Sequence, residues 1–342
     1  MRNHSNFIID GMRKRKRRWI IISSLLMIVT VILCFAMLLL GNTLYPVDVV
    51  IRALIGDATG GVHFAVNTIR LPRMITGLFS GFAFGVAGYI FQTILRNPLA
   101  NPNILGITSG SSVAAVFCIT VLHTSNAGVS IAAIIGGLLT VIIMYLLSRK
   151  QAFSIGRLII IGIGMQAMLN AGISYLILKS SQQDIAGALR WLSGSLNGSK
   201  MDEVLPLVLF VVILTPLVLL LGKHLSILEL GDQMATSLGT TPDKIRMMLI
   251  VSSVFLIAIA TATTGPIAFV SFLAGPIANR LVGGSAKNIL PAGLVGAILV
   301  LFADLIGQFA FEYRFPVGVI TGILGAPYLI YLLIRINRKG EW

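Results

Sequence analysis

The sequence predicts an all-α membrane protein of about ten transmembrane helices, and three observations predict it. Of 342 residues, 56% are hydrophobic and only 11% charged, whereas a soluble domain carries about a quarter charged residues. Apolar windows near the ~20 residues that cross a hydrocarbon core of about 30 Å recur along almost the whole chain. Basic residues collect on every second connection between those windows. The mean hydropathy of +0.93 excludes a disordered chain, a coiled coil or an ordinary cytosolic enzyme. Cys34 and Cys118, the only cysteines, each lie inside an apolar run, which excludes a secreted disulfide scaffold.

Residues 1–18 form a basic cytoplasmic segment whose core is the run Arg13–Arg18. Together with Leu25–Leu40 it has the look of a signal peptide. The apolar run, however, exceeds the usual ~7–15 residues and has no small-x-small cleavage site, so residues 19–40 are read as an uncleaved first span. Asp48–Ile55 places Val50, Ile51, Leu54 and Ile55 on one face and Asp48 and Arg52 off it, the pattern of a short interfacial helix on the outer side. Spans follow at 72–94, 104–122, 128–147 and 158–178. A second interfacial helix, Ile185–Leu192, carries Trp191 at headgroup depth. The remaining spans are 204–222, 246–264, 266–282, 289–309 and 316–334, and residues 335–342 make a cytoplasmic tail. Residues 19–334 thus form a single transmembrane domain. No Lys or Arg occurs over the 33 residues from Met247 to Asn279, and Gly265-Pro266 sits mid-stretch. That is long for one helix and short for two, so it is read as one full helix and a short or broken one, with nine spans the alternative.

With the N-terminus in the cytoplasm, 19 of the 26 Lys and Arg fall on inner segments, as the positive-inside rule requires. Ten spans return the C-terminus to that side, and the chain is placed in a bacterial cytoplasmic membrane as a multi-pass protein. The net charge of +14 lies at helix ends facing anionic lipid and lacks interleaved aromatics, so no nucleic-acid partner is expected. The chain has no Gly-x-x-x-x-Gly-Lys-Ser/Thr and no His-Glu-x-x-His, and its four histidines are dispersed. Neither a nucleotide site, a metal site nor another cofactor is expected. Of twelve acids only Asp304 falls inside a span, whereas ion-coupled carriers place ionisable groups at mid-membrane. The energy source is therefore expected to be a partner, and a stand-alone secondary transporter is the rival from another class.

Five features carry candidate function. Gly77, Gly81, Gly85 and Gly88 repeat at spacings of four, four and three on the second span; helix packing is the favoured reading, a transport role the other. Gly162, Gln166, Asn170 and Ser174 form a polar stripe on the fifth span that either lines a solute pathway or bonds neighbouring helices. Arg70 and Arg73 flank Leu71-Pro72, with the proline opening the helix, and either meet carboxylates of an extracytoplasmic protein or snorkel to lipid phosphate. Between the second and third spans, two prolines and three asparagines in Arg96–Gly106 make a rigid turn. The inner loop Lys223–Arg246 reads as two very short helices broken at Gly231 and stopped at Gly239, with Thr241 the N-cap and Pro242 the first residue of the next helix. Its small and apolar positions beside Glu229 and Asp232 suit docking into a partner's cleft.

These pieces resemble the FecCD-type permeases, the membrane subunits of binding-protein-dependent ABC importers for ferric siderophores, haem and cobalamin. The matching segments are Arg70-Leu-Pro-Arg73, Gly81 through Gly88 to Gln92, Arg96-Asn-Pro-Leu-Ala-Asn-Pro with Leu105-Gly106, and Trp191-x-x-Gly-Ser195. They continue with Leu230-Gly231-x-x-x-Ala235-x-x-Leu238-Gly239, Gly265-x-Ile-x-Phe-Val270, Ala303-Asp304, Pro316-Val-Gly318 and Gly325-Ala-Pro327, in order over residues 19–334. The resemblance implies a non-catalytic subunit that dimerises with a copy or a paralogue around one pathway above a cytoplasmic ABC ATPase dimer. Leu230, Gly231, Asp232, Ala235, Leu238 and Gly239 would be the ATPase-coupling element. Arg70 and Arg73 would receive acids of a lipoprotein or periplasmic substrate-binding protein, and the stripe on the fifth span would line the pathway. The implied cargo is a ferric siderophore, with haem or cobalamin the alternatives within the family.

Three departures stand out. The family commonly has Pro-His after the Phe-Val motif, where this chain has Gly275-Pro276-Ile277. It often has an Arg four residues after the Ala-Asp aspartate, where Gln308 stands here, and an acid before Pro-x-Gly, where Arg314 stands. Arg314 is the candidate replacement for the outer charge.

Overall fold

The computed structural model describes residues 2–57, 60–148, 155–228, 231–283 and 288–339. It is all-helical over the described residues: α1 (Arg2–Leu39), α2 (Val47–Leu54), α3 (Gly61–His63), α4 (Leu71–Ile94), α5 (Ile107–Phe117), α6 (Asn126–Ser148), α7 (Ile155–Lys179), α8 (Gln182–Leu192), α9 (Met201–Leu228), α10 (Asp232–Ser237), α11 (Pro242–Thr264), α12 (Val270–Val282), α13 (Ile289–Phe309) and α14 (Val317–Lys339). Eight helices are long and apolar enough to cross a membrane, and the shorter apolar helices Ile107–Leu122 and Val270–Val282 accompany them. Together they occupy the ten expected spans.

Three boundaries differ from the sequence reading. The basic run Arg13–Arg18 is helical and continuous with the first span in α1, which begins at Arg2. Pro72 does not open its helix: α3 continues through a π-helical stretch, Phe64–Arg70, directly into α4. Proline removes one backbone donor, and the widened turn absorbs the misfit, with the amide of Leu71 bonding the carbonyl of Val66. Helix α9 runs past the apolar window to Leu228, so among the described residues the inner loop holds one short helix, α10, where the sequence reading has two. Thr241 occupies the N-cap position of α11, but its side chain makes no capping bond.

Side-chain ties fix which helix ends share a side. Arg18 bonds the carbonyl of Leu281 and Arg96 that of Leu228, which places these ends together on the N-terminal side. Arg70 reaches the carbonyl of Leu38, and Arg73 reaches Asn197 and Asp304, on the far side. By these ties α1 and α13 run from the N-terminal side to the far side, and α4, α9 and α12 run back.

The centre is built from α4, α11 and α13, whose apolar windows are 72%, 72% and 67% buried; α1, α6, α7, α9 and α14 form the rim. Leu178, Ile160 and Ile213 lie open on that rim, an exposure that only lipid or another subunit can cover. The glycine stripe of α4 is a packing device. Gly81 and Gly85 lie against the backbone of α13 at Gly296 and Ala292, and Gly88 lies against the carbonyl of Ser271 in α12.

The long uncharged stretch resolves into a full helix, α11, and a half-length one, α12. Between them Gly265–Phe269 is non-helical, with φ of +70° at Gly265 and +64° at Phe269. Non-helical chain can advance up to about 3.3 Å per residue against 1.5 Å in a helix, so this segment extends the reach of the 13-residue helix α12. Irregular backbone at that depth must be enclosed by protein. Thr264 and Ile267 are buried, and the amide of Ser195 bonds the carbonyl of Thr264 at 2.7 Å.

Candidate functional site

On the N-terminal side, α10 stands between Gly231 (φ +105°) and Gly239 (φ +77°), left-handed positions with no neighbour within 4 Å of a built Cβ. These glycines let a six-residue helix turn sharply away at both ends. Of the residues expected to couple, Leu230 lies outside the described residues. Ala235 is fully buried against the body of the protein. Its burial follows from the bonds that fold the loop over it: both the amide and the hydroxyl of Thr240 donate to its carbonyl. Leu238 is exposed, and so is Met234, which the expected set omitted. Two apolar side chains open to water on a loop are the surface a partner would cover.

Asp232 points back to the body. Its carboxylate accepts from Arg246 at 2.8 Å, and Arg246 also contacts Asp243 at 3.5 Å. The hydrogen bond from Arg246 holds the Asp232 carboxyl below its usual range; slight burial opposes this, and the charges of Arg246 and Arg96 add to it. A depressed carboxylate contributes stability above its unfolded pKa and loses it as pH falls through the folded value. Because Asp232 is 58% exposed, the pair is screened and adds less than about 1 kcal/mol. Asp232→Asn is therefore expected to lower the thermal midpoint slightly at pH 7, and the gap to the unaltered chain should close as pH drops below the ordinary aspartate range of ~4. Paired melting curves at both pH values check it.

On the far side, the three expected docking arginines have different surroundings. Arg70 is buried: Nη1 donates to the carbonyls of Leu38 (2.8 Å) and Leu39 (2.9 Å), Nη2 to that of Thr43 (2.7 Å), and the guanidinium lies 4.8 Å from the Tyr45 ring centroid. It closes the C-terminal end of α1, where helical carbonyls lack partners. Its Nη1 and Nη2 thus donate to main-chain carbonyls within the chain. Arg73 is also engaged. Its Nε and Nη2 grip both oxygens of Asp304 at 2.8 Å, and Nη1 donates to Asn197 at 2.9 Å. Gln308 donates to Asp304 at 2.7 Å, so the residue that departs from the family pattern completes this buried cluster. Arg314 is exposed and donates to Asn42. The sequence did contain a signal for the Arg73–Asp304 pair: one acid inside a span, near the same membrane face as an arginine in another.

The stripe on the fifth span lies on α7. Gly162 is buried, Gln166 half-buried, and Asn170 and Ser174 are exposed, the Ser174 hydroxyl donating to the Asn170 carbonyl at 3.0 Å. The span Ile159–Lys179 is only 6% buried, the least of the eight. A polar stripe on an uncovered span in hydrocarbon is costly, so this face needs water or another protein surface. The half-open crevice between α6 and α11, lined by Leu138, Ile142, Tyr145, Met247, Val251 and Phe255, holds no charged group that could orient a polar solute. Among the described residues, no three His, Cys, Asp or Glu side chains gather into a metal-binding group.

The sequence profile of the FecCD transport family matches residues 27–335. A ferric enterobactin transport system permease protein of Escherichia coli (strain K12), FepG, is 38% identical over 85% of this chain and 88% of its own length. A Fe(3+)-citrate import system permease protein of Bacillus subtilis (strain 168), YfmE, is 35% identical over 96% and 98%. Among solved structures, a chain from an inward-facing conformation of a transporter assigned to the metal-chelate type of ABC transporter superposes with a TM-score of 0.82 at 27% identity, covering 92% of this chain and 99% of that one.

Proposed function

The chain belongs to the FecCD transport family, and on that premise we propose that it is the permease subunit of a bacterial importer for a ferric siderophore, driven by a separate ABC ATPase dimer. The observation that carries this reading is the near full-length match to a ferric enterobactin permease and a ferric citrate permease. A second permease subunit covers α7 and its stripe, so that Gln166, Asn170 and Ser174 face the pathway rather than lipid. The termini and α10 face the cytoplasm. There Met234 and Leu238 seat in the ATPase cleft, while Gly231 and Gly239 set the angle of the helix between them. An extracytoplasmic binding protein docks on the opposite rim, where Arg314 is the exposed cation and Arg70 and Arg73 hold the rim's shape. Alternating access follows if ATP-bound and ATP-free ATPase favour different arrangements of the spans.

Uptake of radiolabelled ferric enterobactin, ferric citrate and a ferric hydroxamate by cells lacking this chain tests the reading. At least one uptake is expected to be lost on deletion, restored by the unaltered chain, and not restored by stably inserted Gly239→Trp, which adds bulk at the exposed end of α10. If all three were unchanged on deletion, the ferric-siderophore assignment would fall; if Gly239→Trp transported normally, the coupling role of α10 would fall.

A further inference from the structure

Helix α4 ends in a Schellman turn: the amide of Arg96 donates to the carbonyl of Thr93 at 3.2 Å and that of Asn97 to the carbonyl of Gln92 at 3.0 Å. This turn needs a left-handed residue just past the helix, a place most often filled by glycine. Arg96 fills it here, at φ +49°, a conformation that costs free energy for a residue with a Cβ. What its side chain reaches from that position gives the reason. Nη2 donates to the carbonyl of Leu228 at 2.7 Å, the last residue of α9, three positions before Gly231.

Two charge-assisted bonds thereby hold the N-terminal end of α10. Arg96 ties the end of α9 to α4, and Asp232, the first residue of α10, is tied to Arg246 of α11. Helices α4 and α11 pack against each other at the buried centre, whereas α9 belongs to the rim. The same end of α4 also holds α12. Gln92 donates to the carbonyl of Phe272 at 2.8 Å, and Asn101, in the following loop, accepts from Ser271 at 3.4 Å.

We propose that Arg96 is a positioning residue for transport: its bond to the Leu228 carbonyl carries displacement of α10 into α4 and, through Gln92, into α12. The proposal rests on the coupling role given to α10 above. Arg96→Gly is the informative substitution, because glycine relieves the left-handed backbone while deleting the guanidinium. The complex of permease and ATPase, reconstituted in liposomes with its binding protein, is assayed for ATP-driven uptake of ferric enterobactin and ferric citrate, for ATP hydrolysis and for thermal midpoint. Arg96→Gly is expected to keep or raise the midpoint, to keep hydrolysis within about twofold, and to lower uptake about tenfold, the factor implied by one lost charge-assisted bond. Arg96→Lys, which retains a cationic donor, should recover part of the uptake.

Unaltered uptake in Arg96→Gly overturns the proposal. A parallel fall in midpoint, hydrolysis and uptake also overturns it, because Arg96 would then serve the fold alone. If the glycine variant fails to insert, Arg96→Met, of similar reach but without donors, takes its place in the comparison, and failure of that variant to insert overturns the proposal in the same way. Liposomes with the unaltered chain that show no ATP-dependent uptake would defeat the functional reading instead, a result distinct from any difference among the Arg96 variants.

Discussion

Gly88→Val is expected to leave almost no folded chain in the membrane, whereas Gly164→Ala should insert and purify like the unaltered protein. A Cβ on Gly88 would lie 1.7 Å from the carbonyl oxygen of Ser271 and 2.6 Å from its carbon. The obstacle is main chain, and it is held in place: the next carbonyl, Phe272, accepts from Gln92 on the same helix as Gly88. One turn further, Gly275 packs on the Gln92 side chain. Ordinary overpacking costs about 1–3 kcal/mol because side chains yield. Here neither backbone can yield without separating α4 from α12, which places the cost among the rare losses above about 4 kcal/mol. That is a large part of the roughly 5–15 kcal/mol that holds a typical protein folded. Gly164 on α7 has nothing within 4 Å of a built Cβ, and alanine favours a helix over glycine by about 1 kcal/mol. Membrane content after expression and elution profile in mild detergent read both outcomes. Normal accumulation of the valine variant would mean that α4 and α12 do not meet at Gly88.

The spans were legible because hydrocarbon imposes one requirement, about 20 apolar residues, that every long helix must meet in its own sequence. Their boundaries were less so where a helix leaves the membrane and continues. Lys223 and His224 end an apolar window, but nothing in them stops a helix, and α9 runs on to Leu228. The Pro72 signal misled for a related reason: a missing donor can be absorbed by a π-helical turn as well as by a helix start.

The site was legible by position and not by partner. The sequence places Arg18, Arg70 and Arg96 at membrane borders, where lipid phosphate is a sufficient partner for a cation. In the structure each reaches main-chain carbonyls at the end of another helix. Those carbonyls lie 263, 32 and 132 positions away, and charge patterning carries no information about which helix end will be within reach. The burial of Ala235 was not legible for want of periods: a helix of six residues makes under two turns, too few for an apolar pattern to say which face is buried. The exposure of α7 was not legible at all, since a span covered by its own chain and one left for another subunit are equally apolar.

The far-side charge cluster should show the other large loss, and it separates fold from docking. Asp304 is 1% exposed and Arg73 12%, so neither charge can turn to water when its partner is removed. Asp304→Asn is expected to destabilise the chain by about 3–5 kcal/mol, the usual cost of stranding one member of a buried pair, seen as a lower melting temperature in detergent and reduced membrane content. Arg73→Met alone should be comparably damaging, since it strands a carboxylate whose remaining side-chain donor is Gln308. Arg73→Met combined with Asp304→Leu removes both charges, and exchange of a buried ion pair for apolar groups is often neutral. The double variant should therefore regain most of the lost stability, with a coupling of about 2 kcal/mol or more between the two sites. Ferric-chelate uptake then decides what the arginine is for. All of its side-chain nitrogens already donate within the chain, two to Asp304 and one to Asn197, so the refolded double variant is expected to transport, while Arg314→Glu, which leaves the fold intact, is expected to lose uptake through weakened docking. A double variant that folds but does not transport would return Arg73 to the docking surface, and would mean that the binding protein competes with Asp304 for the same guanidinium.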